Sequence, residues 1–377
     1  MDSALRATVV HGVVETIAGS ERVTFSVSTI LRDLGFDVEI LLFSKPDLEA
    51  IEEGLGDLRH ISVRSISPIR VPGLGIYQRV FTYLLSPKIR SDLVVTTHGD
   101  LLPHRSMGDF PTIHYCHYPL AFIPRERIFL GKYGSGVWRI YYEFYRALSS
   151  IAARMINDRD VVVANSFFVK KLIKISTGLD PEVIYPPVNV EKFLNIPLES
   201  DRDDLILMLG RYSPEKSYED AIKILAKLPR SVKMVIIGRL TSSNIWYYKR
   251  LIELARKLGV ENRVKLIYNA PESVVMSYMK RSSVYLHMYL GEHFGISVVE
   301  AMASGLIPVT WSFGGPSEYV PQEYLFKDLS EVPEKILKAL NASQAERSRV
   351  REISRNFSEE IFRARFKDLV KRVLSHS

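Results

Sequence analysis

Two glutamates separated by seven residues, Glu292 and Glu300, sit in the stretch LGEHFGISVVEAMASG at 290–305. Upstream, VYLHMYL at 284–290 is short, apolar and aromatic, and reads as a buried strand. Downstream, Ile296, Val299, Met302 and Ala303 are spaced for the buried face of a helix. Strand, glycine-containing turn and helix start form an anion-binding element: free amides at Gly295, Ile296 and Ser297 can point at a phosphate, and the helix dipole favours its charge. The carboxylates would repel that phosphate, but each can accept two strong hydrogen bonds from a vicinal diol. Either glutamate alone reads as an ordinary solvated side chain. Together, with Glu300 embedded in VVEAMA where an unpaired charge is costly, they fit a diphosphate with a sugar at each end.

Cations suited to the diphosphate stand earlier in the chain. Gly210-Arg211-Tyr-Ser-Pro-Glu-Lys216 follows the apolar run 205–209, placing a guanidinium and an ammonium in one strand-end loop. They would also offset Glu292 and Glu300. Gly238 and Asn269 end the next two apolar runs. In the first half, Gly19 lies in a turn where backbone can approach a ligand closely, and Ser20 can cap the helix after it. His114 and His117 flank a strand end at HYCHYP; a histidine there, beside a proline, is commonly structural.

Glu292-x7-Glu300 with Ala301-Met302-Ala303-Ser304-Gly305 and Gly314-Gly315-Pro316 resembles the donor-site signature of the retaining glycosyltransferases with the GT-B fold, and the likeness runs over nearly the whole chain. HYCHYP, Asn165-Ser166-Phe167-Phe168 and Tyr185-Pro-Pro-Val188 are similar to segments of the mannosyltransferases that extend dolichol-linked oligosaccharide. The resemblance implies that Gly19 faces the donor diphosphate, though one glycine stands where relatives usually carry more. It implies that His117 lies beside the reacting sugar and leaves His114 structural. It implies further that Arg211 and Lys216 hold phosphate, that the loop at Gly238 and Asn269 reaches the nucleobase mainly through backbone, and that Phe294, Gly295, Ile296 and Glu300 line the donor site, with Glu292 toward the transferred sugar. Enzymes of this kind let the leaving diphosphate take the acceptor's proton, so neither a glycosidase-type carboxylate pair nor a metal is required, and no Asp-x-Asp signature occurs at these strand ends.

The elements that must position these residues are legible as two βα series. Strands are expected at 7–14, 37–44, 61–66, 92–97, 112–117, 160–165 and 182–185, then at 205–209, 233–237, 264–268, 284–289 and 306–310, with helical patterns between most of them. That is an α/β protein of two doubly wound, Rossmann-like domains, with ligands at the strand carboxyl ends. The resemblance adds that the domains face a cleft. The expected division is an acceptor-binding domain at 1–190, a linker at 188–204, a nucleotide-sugar domain at 204–356, and an amphipathic final helix at 357–377 that crosses back to the first domain. At 377 residues the chain is long enough for two cores.

Composition narrows the function. Hydrophobic residues make up 46% and charged residues 25%, as in soluble proteins, and no apolar run has bilayer-spanning length. The start MDSALRATVV has no signal-peptide pattern. One cysteine, Cys116, excludes an internal disulfide and a cysteine-rich metal site, and fits a cytoplasmic setting. A net charge of +7 suits an anionic partner. Basic residues interleaved with aromatics at 66–87 (Arg70, Arg79, Lys88 just beyond) and 125–154 (Lys132, Arg139, Arg146) suit an anionic membrane surface or, equally, an aromatic core. Nothing supports nucleic acid, and the lack of a complete G-x-G-x-x-G at the start of either domain argues against a dinucleotide oxidoreductase. The expectation is a GDP-mannose-dependent mannosyltransferase without cofactor, acting on a lipid-linked acceptor at the cytosolic membrane face. Its rivals are a soluble UDP- or ADP-glucose transferase and a non-catalytic sugar-nucleotide-binding protein.

Overall fold

The structure, a computed structural model, describes all residues except 1–4, 15–18, 47–48, 50, 53–58, 68–75, 86–88, 103–109, 123–135, 157–158, 199–201 and 376–377. The chain divides into two units: residues 1–187 with 359–377, and residues 188–358.

The first unit contains a seven-stranded, fully parallel sheet: β1 (Arg6–His11), β2 (Asp37–Ser44), β3 (Ile61–Ser67), β4 (Leu93–Thr96), β5 (Thr112–Cys116), β6 (Val161–Ala164) and β7 (Glu182–Val183), in the order β3-β2-β1-β4-β5-β6-β7. The central strands are buried on both faces, which is why they appear in the sequence as continuous apolar runs rather than alternating ones. Helices α1 (Gly19–Asp33), α2 (Tyr77–Leu85), α3 (Gly136–Ala153) and α4 (Phe167–Thr177) follow β1, β3, β5 and β6. On one face of the sheet Val27, Ile30 and Leu31 of α1 share a core with Val9, Val95 and Ile113.

Unit two repeats the pattern with six parallel strands: β8 (Asp203–Leu209), β9 (Lys233–Gly238), β10 (Val264–Tyr268), β11 (Ser282–His287), β12 (Ile307–Trp311) and the short β13 (Leu325–Phe326). Their order is β10-β9-β8-β11-β12-β13. Both sheets therefore reverse direction beside their first strand, at β1/β4 and at β8/β11. In such sheets the crevice for a ligand lies outside the strand carboxyl ends at that reversal.

One boundary differs from the sequence reading, and the final helix falls in the unit where it was expected. The expected linker at 188–204 belongs to the second unit. There α5 (Val190–Leu194), capped by the Asn189 side chain, buries Val190 and Phe193, and Val188 donates to the Phe357 carbonyl. Arg202 donates to the Met279 and Ser282 carbonyls, fixing the end of the segment. Four apolar residues (Val188, Val190, Phe193, Ile196) decide its fate despite polar neighbours. The final helix, labelled α12 (Glu359–Ser375), belongs to the first unit. Phe362, Phe366, Leu369, Val370 and Val373 enter its core at helical spacing, and Arg363 and Arg372 pair with Asp33 and Glu182.

Candidate functional site

In the second unit, the β8/β11 reversal gathers the charged residues singled out in the sequence. The loop after β8 begins at Gly210, whose φ of +152° suits glycine. A short 3₁₀ turn, Pro214–Lys216, returns Lys216 toward the loop after β11. Lys216 Nζ lies 3.5 Å from Glu292 Oε2 and 4.6 Å from the centroid of the Tyr289 ring. His287, the last residue of β11, places Nε2 3.0 Å from the same carboxylate oxygen, and the His293 amide donates to Oε1 at 3.1 Å. Burial pushes the Glu292 carboxyl up, but the Lys216 ammonium and the His287 bond prevail and hold it well below the usual carboxylate range. Burial lowers the His287 pKa, so a neutral imidazole donates its N–H to an ionised Glu292.

Beside this group α9 (Ile296–Ala303) begins. Its cap residue Gly295 is left-handed (φ 90°), and no side chain caps the first turn, leaving its amides for an external acceptor. Glu300 is half-buried on the same helix, close enough to Tyr285 that it, together with burial and Glu292, pushes the phenol pKa up; Tyr285 donates to Ser297 at 2.8 Å. The Gly314-Gly315 pair backs the loop. A Cβ on Gly315 would lie 2.1 Å from the His293 carbonyl oxygen, and the Gly315 amide donates to the Glu292 carbonyl at 2.7 Å. These glycines allow a second strand-end loop to press flat against 292–294.

Several expected donor ligands have other work. Phe294 is 2% exposed, its ring packed against Tyr319 and Phe357, so its side chain anchors the loop. Gly238 makes room: a Cβ there would lie 2.2 Å from the Gly210 carbonyl oxygen. The Asn269 side chain, at φ 48°, bonds both the amide and the carbonyl of Leu240, pinning the loop after β9. Arg211 is 69% exposed at its side chain and 3.5 Å from Glu215, so its guanidinium remains largely solvated.

In the first unit, Gly19 opens α1, while residues 15–18 before it lie outside the described residues. The sequence reading missed the polar group behind it. His11 Nδ1 lies 3.0 Å from Thr24 Oγ1 and 3.1 Å from Thr97 Oγ1, and Nε2 is 3.7 Å from Glu21. Burial raises the Glu21 carboxyl, but its bond and charge interaction with His11 outweigh that and leave it lowered. The signal was a histidine at a strand end followed by a glutamate in the next first turn.

His117 follows β5 and packs its ring, tilted by 59°, 5.1 Å from that of Tyr115; a Cβ on Gly99 would meet its Cβ and Cδ2 at 3.4 Å. His98 to Asp100, polar yet buried, was also missed. Within it Asp100 accepts from Tyr145, and Arg79 bonds Tyr145 beside Asp100. Burial raises the Asp100 carboxyl against the pull of Arg79. Arg79 is thus held by its own unit, which corrects its reading as a membrane-facing cation; Arg70, Lys88 and Lys132 lie outside the described residues. His114 is fully buried, bonded to Thr96 and 3.6 Å from Asp160, in keeping with a structural place. No group of three metal-ligating side chains occurs among the described residues.

Two Rossmann-ordered units, the second with ionised carboxylate, ammonium and uncapped helix start at its reversal point, define the GT-B class of nucleotide-sugar enzymes. Residues 189–357 match the family model of glycosyl transferases group 1, and residues 17–192 that of glycosyltransferase family 4. The chain belongs to this glycosyltransferase family. It is 30% identical over 280 residues to human GDP-Man:Man(3)GlcNAc(2)-PP-Dol alpha-1,2-mannosyltransferase, covering 67% of this chain and 55% of the relative. With alpha-1,3/1,6-mannosyltransferase ALG2 of Kluyveromyces lactis it shares 26% over 356 residues, 81% of this chain and 69% of the relative. The chain spans about half the length of the first of these curated relatives. Among solved structures, HepE of Anabaena in complex with UDP and glucose matches with a TM-score of 0.70 at 17% identity, over 97% of this chain and 99% of that one. Sucrose-phosphate synthase of Thermosynechococcus elongatus matches with a TM-score of 0.74 at 15% identity, over 99% and 100%. These likenesses show the fold.

Proposed function

We propose that this protein transfers mannose from GDP-mannose, with retention of configuration, to a lipid-linked glycan at the cytosolic face of a membrane. One observation carries the reading: an ionised, half-buried Glu292, clamped by Lys216 and His287, stands beside the uncapped start of α9. A diphosphate seated on those amides meets Lys216 and Arg211. Glu292, held ionised by Lys216 and His287, accepts hydrogen bonds from hydroxyls of the transferred sugar, and Glu300 those of the ribose. As the glycosidic bond breaks, charge grows on the leaving phosphate, where fixed cations and amides stabilise it. That phosphate takes the acceptor's proton, and two side-chain cations meet the charge without a metal.

Guanine, mannose and a lipid-linked acceptor are favoured by the names of the relatives, which include a GDP-Man donor and a PP-Dol acceptor. Among the described residues no helix is long and apolar enough to cross a membrane. The test is a donor panel. Bound at a hundredfold above its Kd, a donor stabilises the fold by about 2.7 kcal/mol, readable as a thermal shift. GDP-mannose is expected to give the largest shift and, with a prenyl-diphosphate-linked oligosaccharide, an α-mannosylated product unaffected by EDTA. Stabilisation by UDP-glucose or ADP-glucose but not by GDP-mannose would overturn the reading.

A further inference from the structure

Helix α3 is built with two faces. Its inner face carries Tyr142 and Tyr145, both fully buried. Tyr142 donates to the Leu120 carbonyl at 2.7 Å, three residues past His117, and Tyr145 donates to Asp100 in the loop after β4. Its outer face is an apolar stripe: Val137, Ile140, Phe144, Leu148 and Ile151, followed by Met155 just past the helix end. Steps of three and four residues place all of them on one side of an α-helix. Val137 is 73% exposed, Phe144 66% and Ile151 62%. Such a continuous stripe is not the scatter of single apolar residues that a soluble surface tolerates. Leu84 and Leu85 at the end of α2 are exposed too, and α2 is tied to α3 by Tyr77, which donates to the Tyr141 carbonyl.

We propose that this face is a docking surface for an anionic lipid bilayer, with α3 lying in the plane of the interface. The proposal rests on the lipid-linked acceptor of the preceding section and names the element that reaches it. The occupant follows from charge: Arg139 and Arg154 are exposed near the two ends of the stripe, while Glu143 is matched by Arg146 at 3.0 Å. An apolar stripe with basic ends suits acyl chains beneath anionic headgroups. The inner tyrosines then give docking a consequence. Because they hold the Leu120 and Asp100 loops, the depth of α3 in the interface sets the height of those loops, and of the neighbouring His117, above the headgroups.

The experiment uses the whole chain with vesicles of phosphatidylcholine alone or with 30 mole per cent phosphatidylglycerol, roughly the charge density of an anionic leaflet. Flotation with the anionic vesicles is expected, weakening with salt without vanishing. In Trp246→Phe/Trp311→Phe, the emission of Trp138 is expected to be quenched by brominated acyl chains. Ile140→Asp and Phe144→Asp, both at exposed positions, are expected to lower vesicle affinity by roughly tenfold each, with unchanged circular dichroism and unchanged GDP affinity. Variants that float like the parent, or a Trp138 that lipid bromine leaves unquenched, would overturn the proposal. So would a shift from dimer to monomer in Phe144→Asp without any loss of flotation, since a second copy would then cover the face. Transfer to a short, water-soluble prenyl acceptor separates the two readings. If the variants keep that activity and lose only the membrane, docking stands and so does the chemistry; a parent that floats but transfers mannose to neither acceptor refutes only the chemistry.

Discussion

Lys216 has two possible employers, the donor diphosphate and Glu292, and replacing it by methionine tells them apart. The substitution keeps the aliphatic stem against Tyr289 and Gly210 but removes the charge 3.5 Å from Glu292. Both side chains are under one-fifth exposed, at 18% and 17%. At an effective dielectric constant near 20 their attraction is about 5 kcal/mol before desolvation, and the net is a fraction of that. Toward a phosphate, a charge-assisted hydrogen bond is worth about 1.5–3 kcal/mol, so calorimetry should show GDP affinity falling roughly 10- to 150-fold. The cycle is completed in Glu292→Gln. If Lys216 holds phosphate, Lys216→Met costs a similar factor in both backgrounds. An unchanged GDP affinity in both, or a loss seen only when Glu292 is present, refutes the assignment. Acid stability gives a second readout. The Glu292 pKa is lowered in the fold, so its contribution is present above the unfolded value of about 4.3 and is lost as pH falls through the folded one. Without Lys216, the upward push of burial is opposed chiefly by His287, the folded pKa rises, and acid unfolding begins at higher pH.

Glu300→Gln is expected to weaken free GDP by about 1.5–3 kcal/mol through a lost ribose contact, whereas Glu292→Gln leaves GDP affinity nearly intact and lowers turnover with GDP-mannose; identical effects on GDP would break that division. Gly315→Ala requires the 292–294 loop to move, since its Cβ would lie 2.1 Å from the His293 carbonyl oxygen. It should reduce GDP binding in a protein whose circular dichroism is unchanged; normal binding would show that the loop is not pinned there. Phe366→Ala removes a fully buried ring of α12 and is expected to destabilise the first unit by about 3–5 kcal/mol in urea, followed through Trp138, with GDP affinity of the folded protein unchanged.

Most strands were legible because parallel strands buried on both faces leave short, near-continuous apolar runs bounded by turn residues. Every expected strand is present within a few residues; β13 was not among the expected strands. The Glu292 loop was legible for a different reason. Chemistry needs opposite charges at fixed places, and a glycine-flanked carboxylate before a helix is uncommon enough to stand out. Phe294, Gly238 and Asn269 entered through the resemblance, which says nothing of packing; only the tertiary structure shows a ring facing Phe357, a glycine under Gly210, and an amide clasping Leu240. The burial of His98 to Asp100 escaped notice because a polar run signals a loop, and a loop is normally exposed. That burial depends on Arg79 and Tyr145, which come from helices 18 and 48 residues distant from Thr97.

The two reversal points differ in a way that decides which unit seats the anion. Both offer a helix start beside the first strand's neighbour. In the first unit the α1 turn already contains a carboxylate, Glu21, kept ionised by His11 and lined by Thr24 and Thr97. The N-terminal field of that helix is in large part answered from within the chain. In the second unit α9 has no acidic residue in its first turn and no capping side chain, and the carboxylate before it, Glu292, is already matched by Lys216. A diphosphate therefore meets an unanswered helix dipole and a neutralised neighbour in the second unit, and a resident negative charge in the first. Repeating one topology twice leaves this difference in side chains to distinguish the two reversal points.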